Sequence, residues 1–336
     1  MSAGFVTGLK GTDAAPVAPA PAGSARAFVR ATEVWTLDPS TNRLTLASAF
    51  HGSMTGFAQV SDQESFGMGE GLPGRAWQLR APVMLKGFRG SYFRRTDAAE
   101  REGLTVGLAI PVFSHRDDLM GVVVFLCGDD AEHVGAIEIW HGGDESGDTM
   151  GLVDGYFGTA AHFEWISRRT RFPKGMGLPG QVWASGRPQL MHDLGNSRRF
   201  IRSESAEKAG LTFGIAFPVT SHSTGTTVLT LLSARGTPIA RRFEIWSVLD
   251  RRWMKFRDGV CELEGTPSGH DAELLVRDGD CVLTRVAATG VPEVVADLSG
   301  STDILERAAA RAGFRSLVAL PVHGSDGLSD VVAWYF

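Results

Sequence analysis

The sequence predicts an α+β protein built as three tandem domains, each a five- to six-stranded antiparallel sheet with flanking helices. A repeated phrase predicts the threefold organisation. Gly71 to Trp77 reads GLPGRAW and Gly177 to Trp183 reads GLPGQVW; their separation of roughly 105 residues is domain-sized, far beyond the ~20–50 of a solenoid unit. Other landmarks keep step with the phrase. Glu33-Val34-Trp35, Glu138-Ile139-Trp140 and Glu244-Ile245-Trp246 open the copies, and Pro82, Pro188 and Pro292 stand mid-copy. Gly103, Gly210 and Gly313 each lie eight residues before a Pro-Val pair, at Pro111, Pro218 and Pro321. The expected boundaries are a disordered tail over 1–24 and copies over 25–131, 132–237 and 238–336.

Copy two is the clearest template for the elements. Ala136 to Trp140 and Gly151 to Phe157 read as an antiparallel hairpin, separated by the turn-forming Gly142-Gly143-Asp144. In Leu178-Pro179-Gly180, Pro and Gly stand where a type II turn wants them. A short helix over Gln181 to Ala184 follows, stopped by Gly186 and Pro188. Gln189 to His192 is a short strand, and Ser197 to Ala209 reads as a helix with Phe200, Ile201, Ala206 and Ala209 on one face, ended by Gly210. Thr212 to Val219 and Thr226 to Ser233 are closing strands, the second almost continuously apolar. Copies one and three place the matching helix around Tyr92 to Glu102 and Thr302 to Ala312. Ala99, Ala206 and Ala309, each four before the terminating glycine, let that helix lie close on the sheet. Only ten residues, Gly128 to Ile137, lie between Cys127 and Glu138. So short a link predicts copies clasped together, one copy's last strand beside the next copy's first.

Composition excludes several function classes. With 43% hydrophobic residues, 21% charged and a net charge of −5, the chain has no basic stripe for nucleic acid. Its apolar runs fall far short of the ~18 residues of a membrane helix. Cys127, Cys261 and Cys281 form no CxxC pair, which fits buried thiols in a reducing compartment. A cytoplasmic location follows, with organelle targeting by the tail left open; Lys10, Arg26 and Arg30 are a thin basic count for it. The GxGxxG spacings at Gly69, Gly71, Gly74 and at Gly175, Gly177, Gly180 lack the strand before and helix after that a dinucleotide site needs. Nine scattered histidines give no zinc spacing, and Ser205 to Lys208 matches SxxK only as a helix surface. No metal, cofactor or catalytic residue is expected, and the protein is expected not to be an enzyme.

Polar residues four and five places after the mid-copy proline fall where a strand ends beside the next helix: Lys86-Gly87, His192-Asp193 and Ala296-Asp297. Polar groups there could orient a small ligand at a pocket mouth; Asp193 and Asp297 fit turn or capping roles equally. The candidate ligand-binding set is Trp183, His192, Asp193, Phe200, Trp77, Lys86 and Phe93. Trp77 and Trp183 read also as core aromatics, since Val286 takes their place in copy three.

The order Glu-Ile-Trp, Gly-Leu-Pro-Gly-x-x-Trp, Ser-Gly-Arg-Pro, an Ala-rich helix ending in Gly-Leu, then Phe-Pro-Val and a last apolar strand resembles GAF domains, especially those attached to bacterial histidine kinases and cyclases. The resemblance runs almost through copy two, is nearly as good in copy one and covers the second half of copy three, whose GLPG has become Asp280-Cys281-Val282-Leu283. It implies the GAF sheet with flanking helices and a non-enzymatic role in signalling, binding a small molecule and a protein partner or a second copy. A structural adaptor using degenerate GAF folds as interaction surfaces is the alternative. The cyclic-nucleotide signature of Asn-Lys, Phe and Asp-Glu is not found. Cys127 in the closing strand does not match a bilin-holding cysteine, and Cys261 and Cys281 are misplaced for a free methionine sulfoxide reductase. No kinase, cyclase or DNA-binding segment is recognised after the closing strand Val331 to Phe336.

Overall fold

A computed structural model describes residues 28–128, 135–143, 147–220, 225–234, 239–250, 253–261, 266–267, 274–277, 279, 281–324 and 327–336. The expected tail over 1–24 lies outside the described residues. Copy one runs β1 (Val29–Asp38), β2 (Arg43–Phe50), α1 (Thr55–Asp62), β3 (Ser65–Phe66), α2 (Gly71–Leu79), β4 (Val83–Lys86), α3 (Thr96–Arg101), β5 (Val106–Phe113) and β6 (Leu119–Cys127). Copy two repeats it as β7 (Gly135–Gly142), β8 (Thr149–Tyr156), α4 (Ala161–Arg169), β9 (Arg171–Pro173), α5 (Gly177–Ser185), β10 (Gln189–His192), α6 (Ser203–Lys208), β11 (Leu211–Thr220) and β12 (Thr226–Ala234). Copy three has β13 (Arg242–Val248), β14 (Trp253–Cys261), β15 (Thr266–Pro267), β16 (Leu275–Arg277), α7 (Val282–Thr289), β17 (Glu293–Val295), α8 (Ile304–Arg311), β18 (Leu317–Gly324) and β19 (Gly327–Tyr335).

The three sheets share one strand order. Copy one is β3-β2-β1-β6-β5-β4, copy two reads β9-β8-β7-β12-β11-β10, and copy three is β15-β14-β13-β19-β18-β17 with β16 also on β14. Every pairing is antiparallel, and each opening hairpin shifts register at the same place, between Val34/Trp35, Ile139/Trp140 and Ile245/Trp246. The described helices are only six to nine residues long. The fold is therefore sheet-rich, with helices as short covers rather than a full second layer. Two short helices, α1 and α4, are additional to those the sequence predicts. The helix expected over Ser197–Ala209 forms only at α6, and those of copies one and three shorten likewise to α3 and α8.

The GLPG phrase is the main correction. It is not a type II turn but the first turn of α2 and of α5, where Pro lacks only an amide that has no intrahelical partner. Gly180 is required by proximity: a Cβ there would lie 2.3 Å from the Pro173 carbonyl oxygen, while the Gly180 carbonyl accepts from the Gly175 amide at 2.7 Å. The phrase pins a helix start to a strand end.

Both faces of each sheet are buried, which is why β5 and β6 are apolar throughout. Trp35, Val122, Val124 and Ala109 point with the helices into copy one's own core. Val34, Val123, Phe125 and Ile110 point the other way, into a core shared with Ile139, Phe217 and Leu231 of copy two and Ile245, Leu320 and Trp334 of copy three. Trp334 meets Phe125 and Phe217 edge-on, each at 5.6 Å. Pro111, Pro218 and Pro321 converge around one pit. The sheets are the walls of a trefoil whose centre is one hydrophobic core.

Contacts between copies run head to tail and close. Strand β4 meets β8, β10 meets β14, and β17 returns to β2. The clasp predicted from the short link exists, but between other strands: among the described residues β6 pairs only within copy one and β7 only within copy two. Each apolar sheet back needs two partners, and a ring supplies them where a linear row would leave the end copies exposed.

Candidate functional site

Between each sheet and its helices the chain places a buried carboxylate. Glu33, Glu138 and Glu244 have no exposed surface. Each follows from the opening strand: two residues before the tryptophan, it shares that tryptophan's face, and the indole Nε1 donates to its Oε2 at 3.0, 3.1 and 2.9 Å. A carboxylate so far from water requires a cation.

In copy one the cation is Arg95, at the start of α3. Its Nη1 donates to Glu33 Oε1 at 2.5 Å and its Nη2 to Oε2 at 2.9 Å. Nη1 also donates to Ser61 Oγ at 2.5 Å, and His51 Nε2 lies 2.9 Å from Glu33 Oε1. The Phe57, Phe93 and Trp35 rings surround the guanidinium at 4.7, 5.3 and 5.4 Å. Burial pushes the Glu33 carboxyl upward; Arg95 and hydrogen bonds from His51 and Arg95 outweigh it and hold it far below the usual carboxylate range.

Copy two builds the same cage. Arg202 Nη2 donates to Glu138 Oε2 at 2.8 Å, and Nη1 donates to both Glu138 Oε1 and Ser167 Oγ. The Phe163, Phe200 and Phe172 rings lie 4.6, 5.1 and 5.4 Å from the guanidinium.

Copy three reaches the same end by another route. The position eight before its helix-ending glycine, Arg in the other copies, is Leu305. Instead Arg242 stands 3.6 Å from Glu244 on the same strand, and Tyr335 donates its hydroxyl to Glu244 Oε2 at 2.8 Å. Arg242 and Tyr335 are cross-strand partners, replacing Ala31 with Leu126 and Ala136 with Leu232. Burial and the neighbouring Glu244 push the Tyr335 phenol well up, so it stays a donor.

The seven residues singled out from sequence do not converge. Phe93 and Phe200 line the two Arg–Glu cages, Phe93 stacked on Phe88 at 3.9 Å. Trp77 is packed into copy one's core. Trp183 is half-buried beside Gly143, with the Lys174 ammonium 5.6 Å from its ring. Lys86 reaches the next copy, donating to Asp154 Oδ1 at 2.9 Å and the Gly155 carbonyl at 2.8 Å. His192 does the same toward Asp258, at 3.3 Å, and at the third joint the Val294 amide donates to Ser48 Oγ at 2.9 Å. Asp193 holds a turn, accepting from the Asn196 side chain at 2.9 Å. All three cysteines are buried; burial pushes the Cys281 thiol up to about 11. Among the described residues no cluster of three or more metal ligands occurs, and no helix is long and apolar enough to cross a membrane.

The signal for the buried pairs was present in the sequence as an acid two residues before the tryptophan of each opening strand, Glu-x-Trp, matched in copies one and two by an Arg eight before the helix-ending glycine.

The chain matches no family model and no curated protein sequence. Among solved structures it is similar to the A. aeolicus nlh2 GAF domain in an inactive state, at 18% identity and a TM-score of 0.24 over 30% of this chain and 57% of that one. It is similar to the GAF domain of an Acinetobacter phosphoenolpyruvate-protein phosphotransferase at 22% identity and a TM-score of 0.23, over 30% and 54%. A third is a Staphylococcus aureus NreA protein mutated in its nitrate binding site, at 16% and 0.26, over 32% and 78%. The match thus spans little more than half the length of the first two.

Proposed function

We propose that the chain is a non-enzymatic interaction scaffold of three GAF-like modules, whose internal ligand spaces are occupied by their own side chains and whose outer surface meets a protein partner in signalling. The observation that carries this reading is the pair of cages: Glu33 with Arg95, and Glu138 with Arg202, buried and joined through both Nη atoms of each arginine, with only the Nε of each left without a partner among the described residues. A sensor reading, in which copies one and two bind a small molecule internally, requires the ligand to displace an arginine from its carboxylate. Breaking such a pair costs about 3–5 kcal/mol, which a small ligand would have to recover before binding at all. Support for a partner comes from large apolar side chains left exposed on copy two, Trp165, Met176 and Ile201.

Native mass spectrometry of the purified protein, with Arg95→Leu and Arg202→Leu beside it, tests the reading. The scaffold is expected to show no organic molecule whose presence depends on either arginine. A co-purifying organic ligand that is lost on either substitution would sink it.

A further inference from the structure

The three joints between copies occupy equivalent places, yet one is chemically unlike the others. Before the mid-copy proline stands Ala81 in copy one and Val291 in copy three, but Arg187 in copy two. The residue skipped at the register shift of the facing strand is Ala47 in copy one and Val153 in copy two, but Arg257 in copy three. Deeper, the place of Gly121 and Thr227 is taken by Asp330, and that of Thr45 and Gly151 by Lys255. Closure of the ring does not demand charge here. The joint between copies three and one closes with Pro292 packed on Gly121, where a Cβ would lie 3.2 Å from the proline ring.

At the joint of copies two and three, Arg187 donates through Nε and Nη2 to Asp330 at 3.0 and 2.8 Å, and Arg257 Nη1 donates to the same carboxylate at 3.1 Å. Asp330 is fully buried, whereas the Arg187 side chain is 42% and Arg257 27% exposed. One carboxylate thus serves two guanidiniums. Burial, and then the proximity of Arg187 against the pull of Asp330, lowers the proton affinity of Arg257. Nη1 of Arg187 donates to no described residue. Beside these groups opens a crevice of about 410 Å³, walled by Arg187, Arg257, Lys255, Ser247, Val248 and Leu249, with no acidic residue on its lining. That volume is of small-ligand size.

We propose that this crevice binds a small phosphate-bearing molecule, its oxygens taking donors from Arg187 and Arg257 beside Lys255 and its apolar part resting on Val248 and Leu249. A free carboxylate brings two oxygens and a single charge; a phosphate monoester, with three terminal oxygens and a charge near −2 at pH 7, offers more acceptors and more charge to two guanidiniums on a basic wall. The ligand lies between copies rather than inside one, so this site goes beyond the scaffold reading and fails independently of it. Occupancy would cross-brace copies two and three, giving the ring a ligand-dependent joint.

The test is calorimetric titration of the full chain in low salt with phenyl phosphate and with benzoate. Phenyl phosphate should bind at least about 10-fold more tightly than benzoate. The variant Arg187→Val, Arg257→Ala, Asp330→Gly, which installs the residues of the joint between copies three and one, should weaken binding at least about 10-fold. Lys255→Thr, which leaves the Asp330 cluster intact, should weaken it several-fold and decides the matter if the triple variant does not fold. No binding by the unaltered protein, equal affinity for benzoate, or unchanged affinity in either variant would overturn the proposal.

Discussion

Replacing Arg202 by leucine, the residue copy three carries at this place, should be among the most destabilising single changes outside the central core. It removes both donors to Glu138 and the donor to Ser167, leaving a carboxylate with no exposed surface whose one remaining side-chain donor among the described residues is Trp140. Uncompensated burial of that charge costs about 3–5 kcal/mol. Glu138→Gln alone leaves the guanidinium a neutral acceptor and costs about 2–3 kcal/mol. In the double variant no charge is buried and the introduced amide oxygen still accepts from Trp140, so its loss is about 1–2 kcal/mol. The two single costs together must therefore exceed the double by at least about 3 kcal/mol. Adding Ala136→Arg and Leu232→Tyr to Arg202→Leu transplants copy three's solution and should recover part of the loss. Urea denaturation read by tryptophan fluorescence and circular dichroism measures each species. Additive costs, or a loss under about 1 kcal/mol for Arg202→Leu, would refute the view that these pairs hold the modules together.

Three other outcomes follow from the same geometry. Because the folded-state pKa of Glu33 lies below its ordinary 4.5, its contribution is present above that value and is lost as pH falls through and below it; Arg95→Leu should remove this acid-side loss, and identical pH–stability slopes in both proteins would contradict it. Gly180→Ala places a Cβ 2.3 Å from the Pro173 oxygen and should cost more than about 2 kcal/mol, whereas Gly186→Ala, which meets nothing within 4 Å at a φ of +64°, should cost about 1 kcal/mol; equal thermal shifts would sink the close-approach argument. Lys86 and Asp154, 43% and 37% exposed, should couple by less than about 1 kcal/mol in a double-mutant cycle, and a larger value would mean the joint is drier than its geometry indicates.

Much of the fold was legible because its signals are local. The landmarks Glu33, Glu138 and Glu244 lie within the first strands of three sheets with one common order, and Gln189–His192 forms a strand with the bounds its residues suggest. Ala99, Ala206 and Ala309 are buried under their helices as the spacing required. What failed depends on partners distant in sequence. The GLPG phrase has the residues of a type II turn, and only the strand end at Pro173 makes it a helix start. Lys86 and His192 sit where a pocket mouth was expected within each copy; closure of the ring turns that edge into a joint with Asp154 and Asp258. The almost continuously apolar composition of β12 signalled burial on both faces, yet which surface covers the second face is fixed by the ring and not by the strand. The Arg–Glu cages join residues 62 and 64 positions apart, and no local pattern shows that these charges meet.

The central claim is that the three copies close into a ring around one core. Small-angle scattering on a chain beginning at residue 28 measures this directly. Three modules, each with a radius of gyration of about 13 Å, give about 20 Å when closed in a triangle and about 25 Å when strung in a row. A value near 20 Å, unchanged across dilution, is the result predicted; a value near 25 Å would mean that β17 does not return to β2 and that the shared core does not form.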